Sequence, residues 1–352
     1  MKKVLFATTA LIATTGMAAA EISFGGFGRF GLFYDDGADE DVRVEQRFRL
    51  TATGTTTSDN GLEFEGRIRF QTDDNVNGAS GLANRSAAGF AVSTGGFRLD
   101  VGQVSDVIDS GDVVNYYGYG VGLTSFAEQS SGFGLPASGF GTSSDDTEVA
   151  PTVKLRYQMG DFTVSASITD DSEISATSAA ISDGELLASD GTIVAAGGTL
   201  ENTTTTSRDE YQIGVGYSFG NYSVGVAYGN EDGDVVASSV VDGVLTSTVN
   251  TNEDFDFWAV SFDGELGAFA FSILIADYEK NDDTSYGFSV KYDVGAATDI
   301  RFAFADNGVD GDDEVYAIGF QHGLGGGVSL RGGVGQATDG DTIADLGVVF
   351  NF

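Results

Sequence analysis

From Ile22 to the last residue, Phe352, apolar side chains return on every second position, and beyond the first twenty residues no run of about 20 apolar residues occurs. A period of two belongs to strands, whose side chains point alternately to opposite faces. In "ISFGGFGRFGLFY", Ile22, Phe24, Phe30, Leu32 and Tyr34 share one face and Arg29 lies on the other. In "VRVEQRFRLTAT", Val42, Val44, Phe48 and Leu50 oppose Arg43, Glu45, Arg47 and Arg49. Leu62, Phe64, Ile68 and Phe70 then oppose Glu63, Glu65, Arg67, Arg69 and Gln71. Read along the whole chain, the pattern predicts sixteen strands starting near 22, 42, 61, 86, 96, 152, 161, 209, 221, 254, 266, 284, 299, 314, 327 and 342. Most are joined in pairs over a short turn and then followed by a longer polar loop. The longest connections are expected over about 103–151, 170–208 and 230–253, and the parity of 254–278 reads either way.

Composition narrows what such a sheet can be. Lys2 and Lys3, the apolar run "VLFATTALIATTGM" and the small residues before Glu21 read as a secretory signal peptide over 1–20. The exported chain has no cysteine, so pairing and packing must hold it without staples. Only two prolines accompany 51 glycines, as fits strands that keep nearly every N–H for a ladder. With 53 acidic and 17 basic residues, the formal charge of −36 excludes a nucleic-acid footprint or a polybasic grip on anionic lipid. The 26 phenylalanines and 13 tyrosines, regularly spaced, argue against a disordered chain.

Strands of roughly 9–11 residues suffice to cross a bilayer, and a sheet in hydrocarbon must close because its edges cannot be left unpaired. The charges choose the outward face, since an Arg facing lipid near the midplane costs about 2–4 kcal/mol. The face bearing Arg43, Arg47, Arg49, Arg67 and Arg69 is therefore the lumen, and a lumen so charged is wet. The expected fold is all-β: a 16-stranded antiparallel transmembrane β-barrel over 21–352, wide enough to keep an aqueous channel. Tyr34, Tyr157, Tyr228 and Tyr278, near strand ends, suit interfacial girdles. The closing "DLGVVFNF" runs as a strand to the terminus, where it can pair with the first strand.

The few positive charges are crowded. Arg47, Arg49, Arg67 and Arg69 form one patch, with Arg43 beside it and Arg29, Arg85 and Arg98 as extensions. With a turn near Thr57, residue 47 would lie across from 67 or 69. Gathered like charges repel, so an acidic counterpart is expected. The plainer reading for any single arginine is an ion pair within the barrel, with Glu45 or Glu65 as partner, while Glu63 belongs to the rim.

The leader, the first strand "ISFGGFGRFGLFY", the segment "LTATGTTTSDNGLEFEGRIRF", the run "FRLDVGQVSD", the hairpin "YSFGNYSVGVAY" and the ending "GGVSLRGGVGQATDGDTIADLGVVFNF" together resemble the general bacterial porins. The resemblance is strongest to the short, Rhodobacter-type porins of alphaproteobacteria. It implies a Gram-negative outer-membrane channel for passive passage of ions and small hydrophilic solutes, assembled as a homotrimer among lipid and lipopolysaccharide. It also implies that the third loop, about 103–151, folds inward as a constriction, so that Asp106, Asp109 and Asp112, together with Glu128, face the arginine wall. Phe352 is then the C-terminal signal read by the barrel assembly machinery. No organic cofactor is implied. Calcium is known at acidic loops of such porins, and "DDGADED" at 35–41 and "DNGVDGDDE" at 306–314 are rich in hard oxygen ligands. Neither follows the spaced twelve-residue calcium loop, and solvated negative surface is the preferred reading.

Other classes fit less well. An enzyme would need a placed nucleophile and base, and the single histidine, His322, has no Ser and Asp companions by position. A β-barrel adhesin would have a filled interior. A substrate-selective sugar channel would show an aromatic track, for which Phe27 and Phe33 are too few. The arginine patch favours anions and the total charge favours cations, and the residues leave that choice open.

Overall fold

Alternation becomes a closed wall in the computed structural model, which describes residues 20–73, 84–137, 151–181, 186–187, 193–195, 198–241 and 244–352, with the backbone alone at 73 and 84 and over the parts of 171–208 and 235–253 that it covers. The leader expected over 1–20, apart from Ala20, and residues 138–150 of the third loop lie outside the described residues. The strands are β1 Glu21–Asp35, β2 Val42–Thr57, β3 Glu63–Asp73, β4 Asn84–Arg85, β5 Gly89–Thr94 and β6 Phe97–Gly102. After the short helix α1 Val107–Ser110 come β7 Thr152–Met159, β8 Phe162–Ile181, β9 Leu186–Leu187, β10 Ile193–Ala195, β11 Gly198–Phe219 and β12 Tyr222–Val241. The last seven are β13 Val244–Leu266, β14 Phe269–Tyr278, β15 Ser285–Gly295, β16 Thr298–Asp306, β17 Val315–Gly325, β18 Val328–Gln336 and β19 Thr342–Asn351.

β9 and β10 pair with each other in a separate small ladder, and β4 and β5 both pair with β3 as two pieces of one wall strand, so the wall has 16 strands. Neighbours run antiparallel all the way round, and β1 meets β19 from Phe27↔Asn351 to Asp35↔Ile343. Gly26 and Phe352 exchange both backbone hydrogen bonds at 3.1 Å, which carries the seam to the last residue. No edge is left for lipid to solvate.

Two expectations change. The stretches 170–208 and 230–253, read as loops, are largely paired strand: β8 pairs with β11 out to Ile181↔Gly198 and β12 with β13 out to Val241↔Val244. The Thr, Ser and Val residues that made these segments look like polar loop also favour an extended, ladder-forming backbone. The turn after β2 is centred beyond Thr57, at residues 58–62, so Arg47 pairs with Asp73 and Arg49 with Gln71, not with 67 or 69.

The apolar face is outside. Phe90 is 58 % exposed, Ile318 54 % and Ile213 53 %, while Glu45, Asp100 and Lys154 on the inner face are buried. This inversion is what a lipid-facing wall around a polar lumen requires. Among the described residues the apolar core lies inside the barrel, where Val107, Ile108, Val114, Val121 and Phe133 of the segment after β6 pack on Ala227, Phe257, Ala259, Leu274, Ala276, Ala303 and Ala317 of the wall. Here both faces of β13 and β14 are apolar, which is why their parity could not be read from alternation.

Candidate functional site

The chain leaves β6 through Gly102, at φ 100°, and turns into the lumen. The local sequence "SDVIDSG" makes the one-turn α1: Asp106 is its N-cap and accepts from Asp109 N at 2.7 Å, and Gly111 closes it at φ 67°. From there the segment follows the inner wall and is tied to one strand after another. Ile108 N donates to Gln212 Oε1 on β11 at 2.9 Å, Asn115 N to Ser261 Oγ on β13 at 3.0 Å, and Tyr119 N to Ser289 Oγ on β15 at 2.8 Å. Leu123 N and Thr124 N both donate to the Asp345 carboxylate on β19, at 2.7 and 2.8 Å. The wall is cut to receive it: a Cβ on Gly225 would strike the Val113 carbonyl, and one on Gly287 the Gln129 carbonyl. The loop is thus tied along β11 to β19, and apart from the tie of Asp112 to β7 none of these falls in the sector from β1 to β7.

That sector holds the arginines. Arg29 and Arg47 are direct partners across β1 and β2. The charges of Arg47, Arg49 and Arg67 all act on Arg69, which puts these four in one patch. Glu45, 3 % exposed, holds Arg29 at 2.6 Å and Arg43 at 3.0 Å. The Arg43 guanidinium lies 4.3 Å above Phe33 and that of Arg49 lies 5.0 Å above Phe27, and Arg49 also donates to Gln71. Phe27 and Phe33 are therefore platforms for guanidinium groups. Arg98 stands apart near the Gly95–Gly96 turn, bound to Asp100 and to Glu65 at 3.1 Å. Arg85 pairs with outward-facing Phe70 and is exposed, so its register takes it away from the patch.

The loop acids go to three different places. Asp109 acts electrostatically on Arg69 and accepts from Tyr117 OH at 2.8 Å. Burial, then the Asp109 charge, push the Tyr117 phenol up, so it remains a donor. Asp112 binds Lys154 Nζ at 2.8 Å and Arg156 Nη1 at 2.7 Å, both on β7. Burial works to raise its carboxyl, but those two partners outweigh it and hold the group below the usual carboxylate range. Asp106 is fully buried and receives Gln212 Nε2 at 3.1 Å, which turns it to the β11 wall. Glu128 lies beside Tyr116 and Tyr117, and burial pushes its carboxyl up to about 7.

Lys154 and Arg156 were readable as inward residues of β7, but nothing in their spacing tied them to Asp112. Asp345 carried no signal beyond an acid at an inward register.

At the opposite rim from the short turns, Asp35, Asp36 and Asp341 bring carboxylate oxygens within 4.8 Å of one another, a group that can coordinate a divalent ion. Burial and the charges of Asp339, Asp36 and Asp35 push the Asp341 carboxyl up. Among the described residues this is the one place where three such ligands gather, and the acids of 306–314 form no such group. His322 Nδ1 is 2.7 Å from Thr298 Oγ1 on the next strand.

Residues 7–342 match the family model described as Gram-negative porin. Two curated relatives, each named porin, are 28 % identical over 335 residues (Fuscovulum blasticum) and 26 % identical over 344 residues (Rhodobacter capsulatus). Each match covers 94 % of this chain and 100 % of the relative. Among solved structures, a mutant of Rh. blastica porin aligns with a TM-score of 0.67 at 23 % identity, and a triple mutant of Rhodopseudomonas blastica porin with 0.65 at 23 %. Both cover 94 % of this chain and 100 % of the compared one.

Proposed function

This chain belongs to the Gram-negative porin family and is a water-filled outer-membrane channel for general diffusion, and we propose that its passage is governed by the arginine wall facing the inward loop. The wall is Arg43, Arg47, Arg49, Arg67 and Arg69, and the loop acid turned toward it is Asp109, while Asp112 is held by Lys154 and Arg156 on β7. Fixed charges of opposite sign across a narrow wet gap make a transverse field that orients dipolar solutes without holding them. The observation that carries this reading is the gathering of arginines on β1 to β3, with Arg29 and Arg47 as direct strand partners, while the inward loop is tied to β13 and β19. The channel performs no chemistry on its solute.

Three further parts of the proposal concern assembly. Residues 1–20 are removed on export. The barrel packs as a homotrimer among lipid and lipopolysaccharide, which its exposed apolar exterior suits. Phe352, stacked on Phe48 at 5.6 Å and close to Phe350, presents the terminal aromatic to the barrel assembly machinery. Asp35, Asp36 and Asp341 are the proposed place for calcium, which would tie the 35–41 loop to the strand start at Thr342.

The test is planar-bilayer recording of the refolded protein. Wild type gives conductance in three equal steps, and neutral replacement of Arg47, Arg49, Arg67 and Arg69 moves the reversal potential toward cations. Unchanged selectivity would remove the arginine wall from the constriction.

A further inference from the structure

Beside the gap the wall carries a charge arrangement that a transverse field does not use. Arg98 on β6 and Arg156 on β7 are direct partners on neighbouring strands and share a face. Like charges in that position oppose strand pairing. Among the described residues no carboxylate bridges them: Arg98 is held by Asp100 and Glu65, and Arg156 by Asp112. Lys154, the direct partner of Asp100, shares Asp112 with Arg156.

These side chains and Arg67 surround a polar cavity of about 190 Å³, four cations against the two acids Asp100 and Asp112, with Ser105 and Ser110 of the loop closing one side. A second cavity of about 230 Å³ leads from the same Arg98 and Arg156 to the turn at Gly95 and Gly96. The two arginines therefore stand between the loop and the short-turn end of the channel.

We propose that this alcove is a weak resting site for a phosphate-class oxyanion, either free inorganic phosphate or the phosphoryl group of a small solute. The proposal rests on the water-filled channel described above and names a solute class that the channel favours. Arg156 is the principal donor. Its side chain is 35 % exposed, against 7 % for Lys154 and 22 % for Arg98. A guanidinium has five N–H donors in a fixed fork, and among the described residues Arg156 gives only Nη1 to Asp112. A tetrahedral dianion can take the remaining donors in pairs, with the Ser105 hydroxyl completing its shell. It would also separate two facing positive charges, which gives it an advantage that a monovalent planar anion has less of. Asp100 and Asp112 compete for the same donors, so the site is weak enough to release its guest, as conduction demands.

The experiment is chloride conductance of the whole refolded protein in planar bilayers at constant ionic strength, titrated in separate arms with inorganic phosphate and with glycerol phosphate. Chloride current is expected to fall along a saturating curve. Arg156→Gln should weaken half-saturation about tenfold, the effect of losing a charge-assisted hydrogen bond. Arg156→Lys keeps the ion pair with Asp112 and should weaken it less, so a folding failure of the first variant leaves the test intact. Arg47→Gln, in the constriction patch, should leave half-saturation in place. Saturation with inorganic phosphate identifies the free ion as a guest, and saturation with glycerol phosphate alone identifies a phosphorylated solute. A linear response in both arms, or equal weakening by Arg47→Gln and Arg156→Gln, overturns the site. Absence of conductance steps altogether would instead refute the diffusion channel.

Discussion

Replacing Asp345 by alanine is expected to lift one stretch of the inward loop from the wall. This carboxylate receives three hydrogen bonds from the loop: Leu123 N at 2.7 Å, Thr124 N at 2.8 Å and Thr124 Oγ1 at 2.9 Å. Asp345 is 6 % exposed and Leu123 2 %, so water is poorly placed to take over the orphaned donors. A hydrogen bond to a charged group is worth about 1.5–3 kcal/mol, and three that share one acceptor are not additive, so the loss is about 3–5 kcal/mol. Inverting a 1:99 population takes about 5.5 kcal/mol, so the variant should open this stretch for part of the time without releasing the loop. The anchors at Ser261 and Ser289 and the apolar seat of Val121 remain. Single-channel records of Asp345→Ala should show flicker between two conductance levels, and liposome swelling should admit larger sugars than wild type. Asp345→Asn keeps an acceptor oxygen and should fall between. Steady current with an unchanged size limit in Asp345→Ala would show that this carboxylate does not hold the constriction.

Glu128 should make selectivity depend on pH. Burial pushes its carboxyl up to about 7, so the group is neutral on the acid side and adds a negative charge to the loop on the alkaline side. The cation-to-anion permeability ratio, read from reversal potentials, should rise as pH passes upward through about 7, and Glu128→Gln should flatten that step. For stability the sign is the reverse: a raised carboxyl favours the folded loop below its unfolded value of 4.5, and that contribution is lost as pH climbs to about 7. At Gly287, a Cβ would meet the Gln129 carbonyl and, at 2.9 Å, the Phe304 carbonyl. Gly287→Val should therefore lower thermal stability by about 1–3 kcal/mol through overpacking, while Gly295→Ala, with open space around its Cβ, should change little in the same melt.

Much of the wall was legible because its determinants are local. A strand repeats every two residues, lipid refuses charge, and a closed sheet follows from unpaired edges, so Arg43, Arg47 and Arg49 could be assigned to the lumen from their spacing alone. Fourteen of the sixteen starting points agree with the observed elements to within a few residues; the other two, near 209 and 254, are overtaken by β11 and β13, which begin at Gly198 and Val244. Those segments are rich in Thr, Ser and Val, residues that suit both an exposed loop and an extended hairpin. The parity of β13 and β14 failed for a different reason: the loop covers their inner face, so Phe257, Leu274 and Tyr278 are apolar where a wet lumen would demand polar residues.

The residues of this chain determined by themselves that it closes into a barrel, which face meets lipid and which strands carry positive charge, because each depends on neighbours two positions away and on the solvent outside. Where the loop lies, and therefore which acid meets which base, was decided only by tertiary structure. Asp106, Asp109 and Asp112 are three residues apart in sequence, yet one binds Gln212 on β11, one reaches toward Arg69 on β3 and one pairs with Lys154 and Arg156 on β7. A glycine-rich segment has no periodicity to state such destinations. They follow from the small residues and buried hydrogen-bonding groups of strands far away in the chain, which become neighbours only when the wall is closed.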